Sequence, residues 1–118
     1  MQRLPMISAK DIQYLLHSFR DLDNLQSENI LDPIDPFTYV GFGGDTCLHY
    51  AAFRGDLRAI ELLICGGVDI NARGDMGATP LHSAHQAGKT EVITFLLSKG
   101  ADPEIKDEFG RKPAEWVG

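Results

Sequence analysis

Apolar residues fall at three- and four-residue intervals in several short stretches of the chain, the spacing of one helical face. Leu57 to Cys65 carries Ile60, Leu63 and Ile64, and Thr90 to Lys99 carries Val92, Phe95 and Leu96. Each stretch is closed by glycine, at Gly66-Gly67 and at Gly100, as a helix C-terminus requires. A shorter helix is predicted ahead of each, lined by Ala51 and Ala52 or by Ala84 and ending near Gly55 or Gly88. Upstream, Ile12, Leu15, Leu16, Phe19 and Leu22 form one stripe behind Ser8 and Asp11, which predicts a capped helix over 8–23. Asp32-Pro33-Ile34-Asp35-Pro36 breaks any helix, and Phe37-Thr38-Tyr39-Val40 reads as extended.

The pattern repeats at an offset of 33 residues. Gly44, Gly77 and Gly110 coincide, as do Gly55 with Gly88 and Gly67 with Gly100. Thr46 meets Thr79, Leu48 meets Leu81, His49 meets His82, Ala51 meets Ala84 and Asp69 meets Asp102. Each unit opens with a turn glycine and a threonine suited to cap the first helical turn. Pro80 then occupies the first helical position, where its missing N–H costs nothing.

With Gly-Asp-Thr-Cys-Leu-His at 44–49 and Gly-Ala-Thr-Pro-Leu-His at 77–82, residues 41–118 resemble the ankyrin repeat, a turn plus two antiparallel helices. The resemblance implies an all-α fold, a helical solenoid of paired antiparallel helices with projecting turn tips. It divides the chain into repeats at 41–73 and 74–106 and a truncated C-terminal repeat or cap at 107–118, with Trp116 covering the end of the stack. Residues 1–40 are then a capping segment. One reading makes them a degenerate repeat, with Leu15 and Ile30 lying 33 residues before Leu48 and Leu63 and an outer helix near 26–32. The other is an unrelated helix laid across the stack. Three departures stand out: Cys47 replaces the usual proline, and Gly41 and Gly74 stand where the family tends to have aspartate. The resemblance also implies that His49 and His82 hold neighbouring turns together by hydrogen bonds.

Composition narrows the function. Hydrophobic residues make up 43% and charged residues 24%, the balance of a globular domain. The net charge of −6 is shared, with six acids and three bases in residues 1–44 and eleven and eight in 45–118. No basic stripe is present, so nucleic acid is not an expected partner; a basic protein is. No apolar run nears the roughly 20 residues that span a membrane, and no signal-peptide core follows Met1, so the expected location is cytoplasmic. Cys47 and Cys65 fall at apolar helical positions and read as buried free thiols.

No catalytic site, cofactor or metal is expected. Gly41-Phe42-Gly43-Gly44 lacks the lysine of a phosphate loop. An enzymatic or metal-binding alternative would use His82, His85 and nearby acids, but two histidines do not complete a tetrahedral set. The expected function is protein binding by a monomer, as an inhibitor or immunity-type protein or as a regulatory scaffold. The resemblance implies a concave face of turn tips and first helices, which here offers Phe42, Asp45, Phe53 and Arg54, then Arg73, Asp75, Met76, Ala78 and Gln86, then Glu108, Phe109 and Arg111. Phe42 and Phe53 have a second reading, as core beneath the N-terminal segment.

Overall fold

The computed structural model describes residues 7–19 and 35–115. The helices are α1 (Ala9–Ser18), α2 (Cys47–Arg54), α3 (Leu57–Cys65), α4 (Pro80–Ala87) and α5 (Thr90–Ser98). Single 3-10 turns occupy Phe42–Gly44, Asp75–Gly77 and Pro113–Glu115. Among the described residues the extended pairing is confined to one antiparallel bridge, Val40 with Thr46. The fold is an all-α stack of helix pairs.

The helix starts follow from their caps. Thr46 Oγ1 accepts the Leu48 N–H (3.2 Å), and Thr79 Oγ1 accepts that of His82 (3.4 Å). Between the helices of each pair the chain reverses through Gly55 (φ 82°) and Gly88 (φ 69°), a left-handed conformation that a β-carbon would strain. α2 packs on α3 and α4 on α5, and the two pairs meet mainly through α2 and α4. Ala51, Ala52 and Ala84 are fully buried there, small enough to let the helices approach closely. Leu48, Ile60, Leu63, Leu81 and Leu96 fill the rest of a continuous core. Each such side chain contributes roughly 1.5–3 kcal/mol by burial. Cys47 lies inside this core, and burial pushes its thiol up to about 12, so it is packed as a hydrophobe rather than armed as a nucleophile.

The N-terminal helix attaches differently. Ser8 and Asp11 form a reciprocal cap, each side chain accepting the other's backbone N–H. α1 packs chiefly on α3, with Leu15 and Phe19 buried. Polar ties fix it: Asp11 to Arg58 (2.5 Å), Tyr14 Oη to Asp56 Oδ1 (2.8 Å) and Arg54 Nη1 to the Ser18 carbonyl (2.6 Å). The Ser8 amide and hydroxyl, together with Arg58, hold the Asp11 carboxyl below its ordinary range.

Local boundaries differ from the sequence expectation in places. α1 ends at Ser18, because Phe19 leaves helical geometry (φ −110°, ψ 15°) to place its ring in the core beneath the Arg54 guanidinium, 5.3 Å away. Residues 35–39 form a turn rather than a strand: the Asp35 carbonyl accepts the N–H of Thr38 (3.1 Å) and Tyr39 (2.9 Å). That turn lays the Phe37 ring on Gly66, where a β-carbon would sit 2.0 Å from it. Leu22, the stretch 26–32, the Phe42 side chain and Trp116 lie outside the described residues.

Candidate functional site

Three turns project from the same end of the helix pairs and share one closure. Gly41 N–H donates to the Asp45 carbonyl (2.8 Å), Gly74 N–H to Ala78 (2.7 Å) and Asp107 N–H to Arg111 (2.9 Å). Each turn is then tied to the next. His49 Nδ1 accepts the Thr46 N–H (3.0 Å), which leaves the proton on Nε2 to donate to the Ala78 carbonyl (2.9 Å). One repeat later, His82 Nδ1 accepts from Thr79 N–H (3.0 Å) and Nε2 donates to the Arg111 carbonyl (2.9 Å). Both rings are buried, and burial holds His49 below its ordinary value of 6.5. Arg73 Nη2 donates to the Lys106 carbonyl (2.7 Å), Asn71 Oδ1 accepts the Asp102 N–H (2.9 Å), and Met76 O accepts the Glu108 N–H (2.9 Å).

These forward ties, each from one turn region to the corresponding region about one repeat on, are the geometry that the 33-residue period implies. The family model for ankyrin repeats in 3 copies matches residues 8–107. The chain belongs to the ankyrin-repeat family. Ankyrin repeats mediate protein–protein interaction. Mouse protein phosphatase 1 regulatory subunit 27 is 34% identical over 87 residues, covering 74% of this chain and 53% of that protein. Myotrophin of Xenopus tropicalis is 44% identical over 59 residues, 50% of each chain. Mouse 2-5A-dependent ribonuclease is 41% identical over 70 residues, 58% of this chain but 10% of that protein. The ankyrin-repeat chain thus spans about half the length of the first two relatives and a small part of the third, and the likeness to each is a likeness of repeats.

The ankyrin stack places eleven of the twelve candidate residues in three situations. Some hold the scaffold. Arg54 bonds Ser18 and covers Phe19, Arg73 bonds Lys106, and Arg111 Nε reaches Asp107 (3.2 Å) with its guanidinium 5.0 Å over the Phe109 ring. Asp45 Oδ1 accepts the Asp75 N–H (2.8 Å), and the Ala78 carbonyl takes the His49 bond. Others are exposed: Met76 is 47% exposed, Phe53 52% and Phe109 63%, with Asp75, Gln86 and Glu108 also exposed. With more than half its surface open, Phe53 is not a core residue. The side chain of Phe42 is not described. Finally, Asp45, Asp75, Met76, Ala78 and Gln86 converge with Ser83 around a recess of about 190 Å³. Ser83 is absent from the sequence-based set. Its signal was its place three residues before Gln86 on α4, the spacing of one helix face.

A wider apolar groove of about 490 Å³ runs along the outer helices, lined by Leu57, Thr90, Glu91, Thr94, Phe95 and Ser98. None of the candidate residues borders it. The histidine alternative meets a physical obstacle, because both ring nitrogens of His82 are committed to backbone partners. His85 is partly buried, and desolvation followed by the nearby His82 lowers its pKa. Among the described residues, no three His, Cys, Asp or Glu side chains converge as metal ligands would. No helix among them is long and apolar enough to cross a membrane.

Proposed function

We propose that this chain binds a basic protein partner, as a monomer, through its turn tips and the exposed faces of α2 and α4. The observation that carries the reading is an imbalance of free charge. The arginines of this surface are engaged by the chain itself, whereas the Asp75 and Glu108 carboxylates have no hydrogen-bond or ion-pair partner among the described residues. Exposed Met76 and Phe109 stand beside them as apolar anchors. The tips are already fixed by backbone bonds, so docking orders little that is free. Inhibition or regulation follows if the bound patch is the partner's working surface. Likeness to a phosphatase regulatory subunit favours a regulatory role over a catalytic one.

The test compares two sets of folded variants for binding to a partner captured from the native host and then purified. Met76→Ala and Phe109→Ala are each expected to weaken binding by about 1–3 kcal/mol. An outer-helix set at Glu61, Glu91 and Thr94 is expected to bind as the parent does. Loss of binding in the outer-helix set alone would overturn the assignment.

A further inference from the structure

The recess between the first two turn tips is too small for a drug-sized ligand, which takes at least about 300 Å³, but it holds several water volumes of about 30 Å³ each. Its size is therefore that of one inserted side chain. Its chemistry selects which one. Asp45 and Asp75 supply carboxylates from successive turns, and Ser83 and Gln86 add a hydroxyl and an amide oxygen from α4. Among the described residues no cationic side chain lines it. Met76 forms an apolar wall, a surface against which a methylene stem can lie. Several acceptors around one apolar wall match a planar guanidinium with five donors better than the point charge of an ammonium.

We infer that an arginine side chain of the partner enters this recess, its guanidinium between Asp45 and Asp75 and its stem along Met76. The inference rests on the tip-and-inner-helix reading above and adds the chemical identity of one contact. Charge complementarity is its basis: two carboxylates bound a cavity that no cation among the described residues lines. It also assigns Ser83 and Gln86 a role, as neutral acceptors that orient the guanidinium plane.

The probe is Nα-acetyl-arginine amide, titrated into the isotopically labelled full chain and followed by amide NMR shifts. The expected result is saturable shifts at Asp75, Met76, Ala78 and Ser83. Asp75→Asn is expected to weaken this binding about tenfold, as loss of one charge-assisted contact implies. The turn survives that change, because Asp45 bonds the backbone N–H of residue 75 rather than its side chain. The citrulline counterpart, equal in shape but uncharged, is expected to give no saturable shift. Equal response to arginine and citrulline, or shifts confined to the groove at Thr90–Ser98, would overturn the inference. Failure here alongside weakened partner binding by Met76→Ala removes only the arginine contact; insensitivity of the partner to the whole tip set removes the surface.

Discussion

The second and third turns do the same backbone job with carboxylates from different places. In the third, Asp107 is buried and organises its own turn: Oδ1 accepts the N–H of Phe109 (2.8 Å) and of Arg111 (2.9 Å), and Oδ2 meets Arg111 Nε. In the second, the matching residue is Gly74, and the space a β-carbon would enter is filled by Asp45 Oδ1 (2.1 Å) and His49 Nε2 (2.9 Å). A carboxylate from the preceding turn has taken the place of a local one. The backbone pays for the loan. Met76 and Gly77 are both left-handed, and Met76 is the single non-glycine residue with positive φ (58°) among those described, whereas in the third turn only Gly110 is so placed. A local carboxylate holds a turn in ordinary geometry; a borrowed one joins two turns and leaves one residue strained.

The sharpest test removes each carboxylate. Asp107→Ala strips a buried anion from three donors and is expected to lower stability by about 2–3 kcal/mol. Asp45→Ala removes one bond to an exposed amide that water can replace, at a cost of about 1 kcal/mol. Denaturant titration of both variants checks the order, and equal losses would contradict the distinction.

The histidine ties come next. His49→Ala and His82→Ala are each expected to cost about 1–2 kcal/mol, through a lost bond to the next turn. The His49 pKa is lowered by burial in the folded state, so its contribution is complete above the unfolded value of about 6.5. As pH falls through 6.5 the unfolded chain takes up the proton first, and stability declines. Melting temperatures from pH 8 to 5 would show that decline, and His49→Gln is expected to flatten it.

The smallest effect lies at the strained tip. Asparagine tolerates the left-handed region better than methionine, so Met76→Asn is expected to gain roughly 0.5 kcal/mol. Phe109→Asn, at the equivalent position with ordinary φ, is expected to gain nothing. Thermal melts of the pair isolate the backbone contribution.

Most of the stack was legible because one offset aligned caps, glycines and apolar faces at once. Cys47, Leu48, His49 and Ala51 repeat as Pro80, Leu81, His82 and Ala84 with matching burial. The attachment of α1 was not legible, since Tyr14 to Asp56 and Asp11 to Arg58 span 42 and 47 residues and belong to no period. The scaffold roles of Arg54, Arg73 and Asp45 were also hidden. Each depends on what a distant residue offers: a helix-end carbonyl at Ser18, a loop carbonyl at Lys106, a missing side chain at Gly74. The one sequence sign was that glycine itself, standing where its family expects the turn's own acid.

The histidine ties have a consequence for how such a chain can lengthen. Each reaches 29 residues ahead, and the Asn71 and Arg73 ties reach 31 and 33. An in-frame duplication of residues 74–106 would therefore give each copy of His82 a backbone carbonyl at the 29-residue distance it already uses. The copy would join the row through a histidine tie of the kind already present. The ties of α1, at 36, 42 and 47 residues, have no such property, because their partners would not be copied with them. One part of the molecule can be multiplied by a single genetic event, adding a further tip to the row each time, while the other can only be kept.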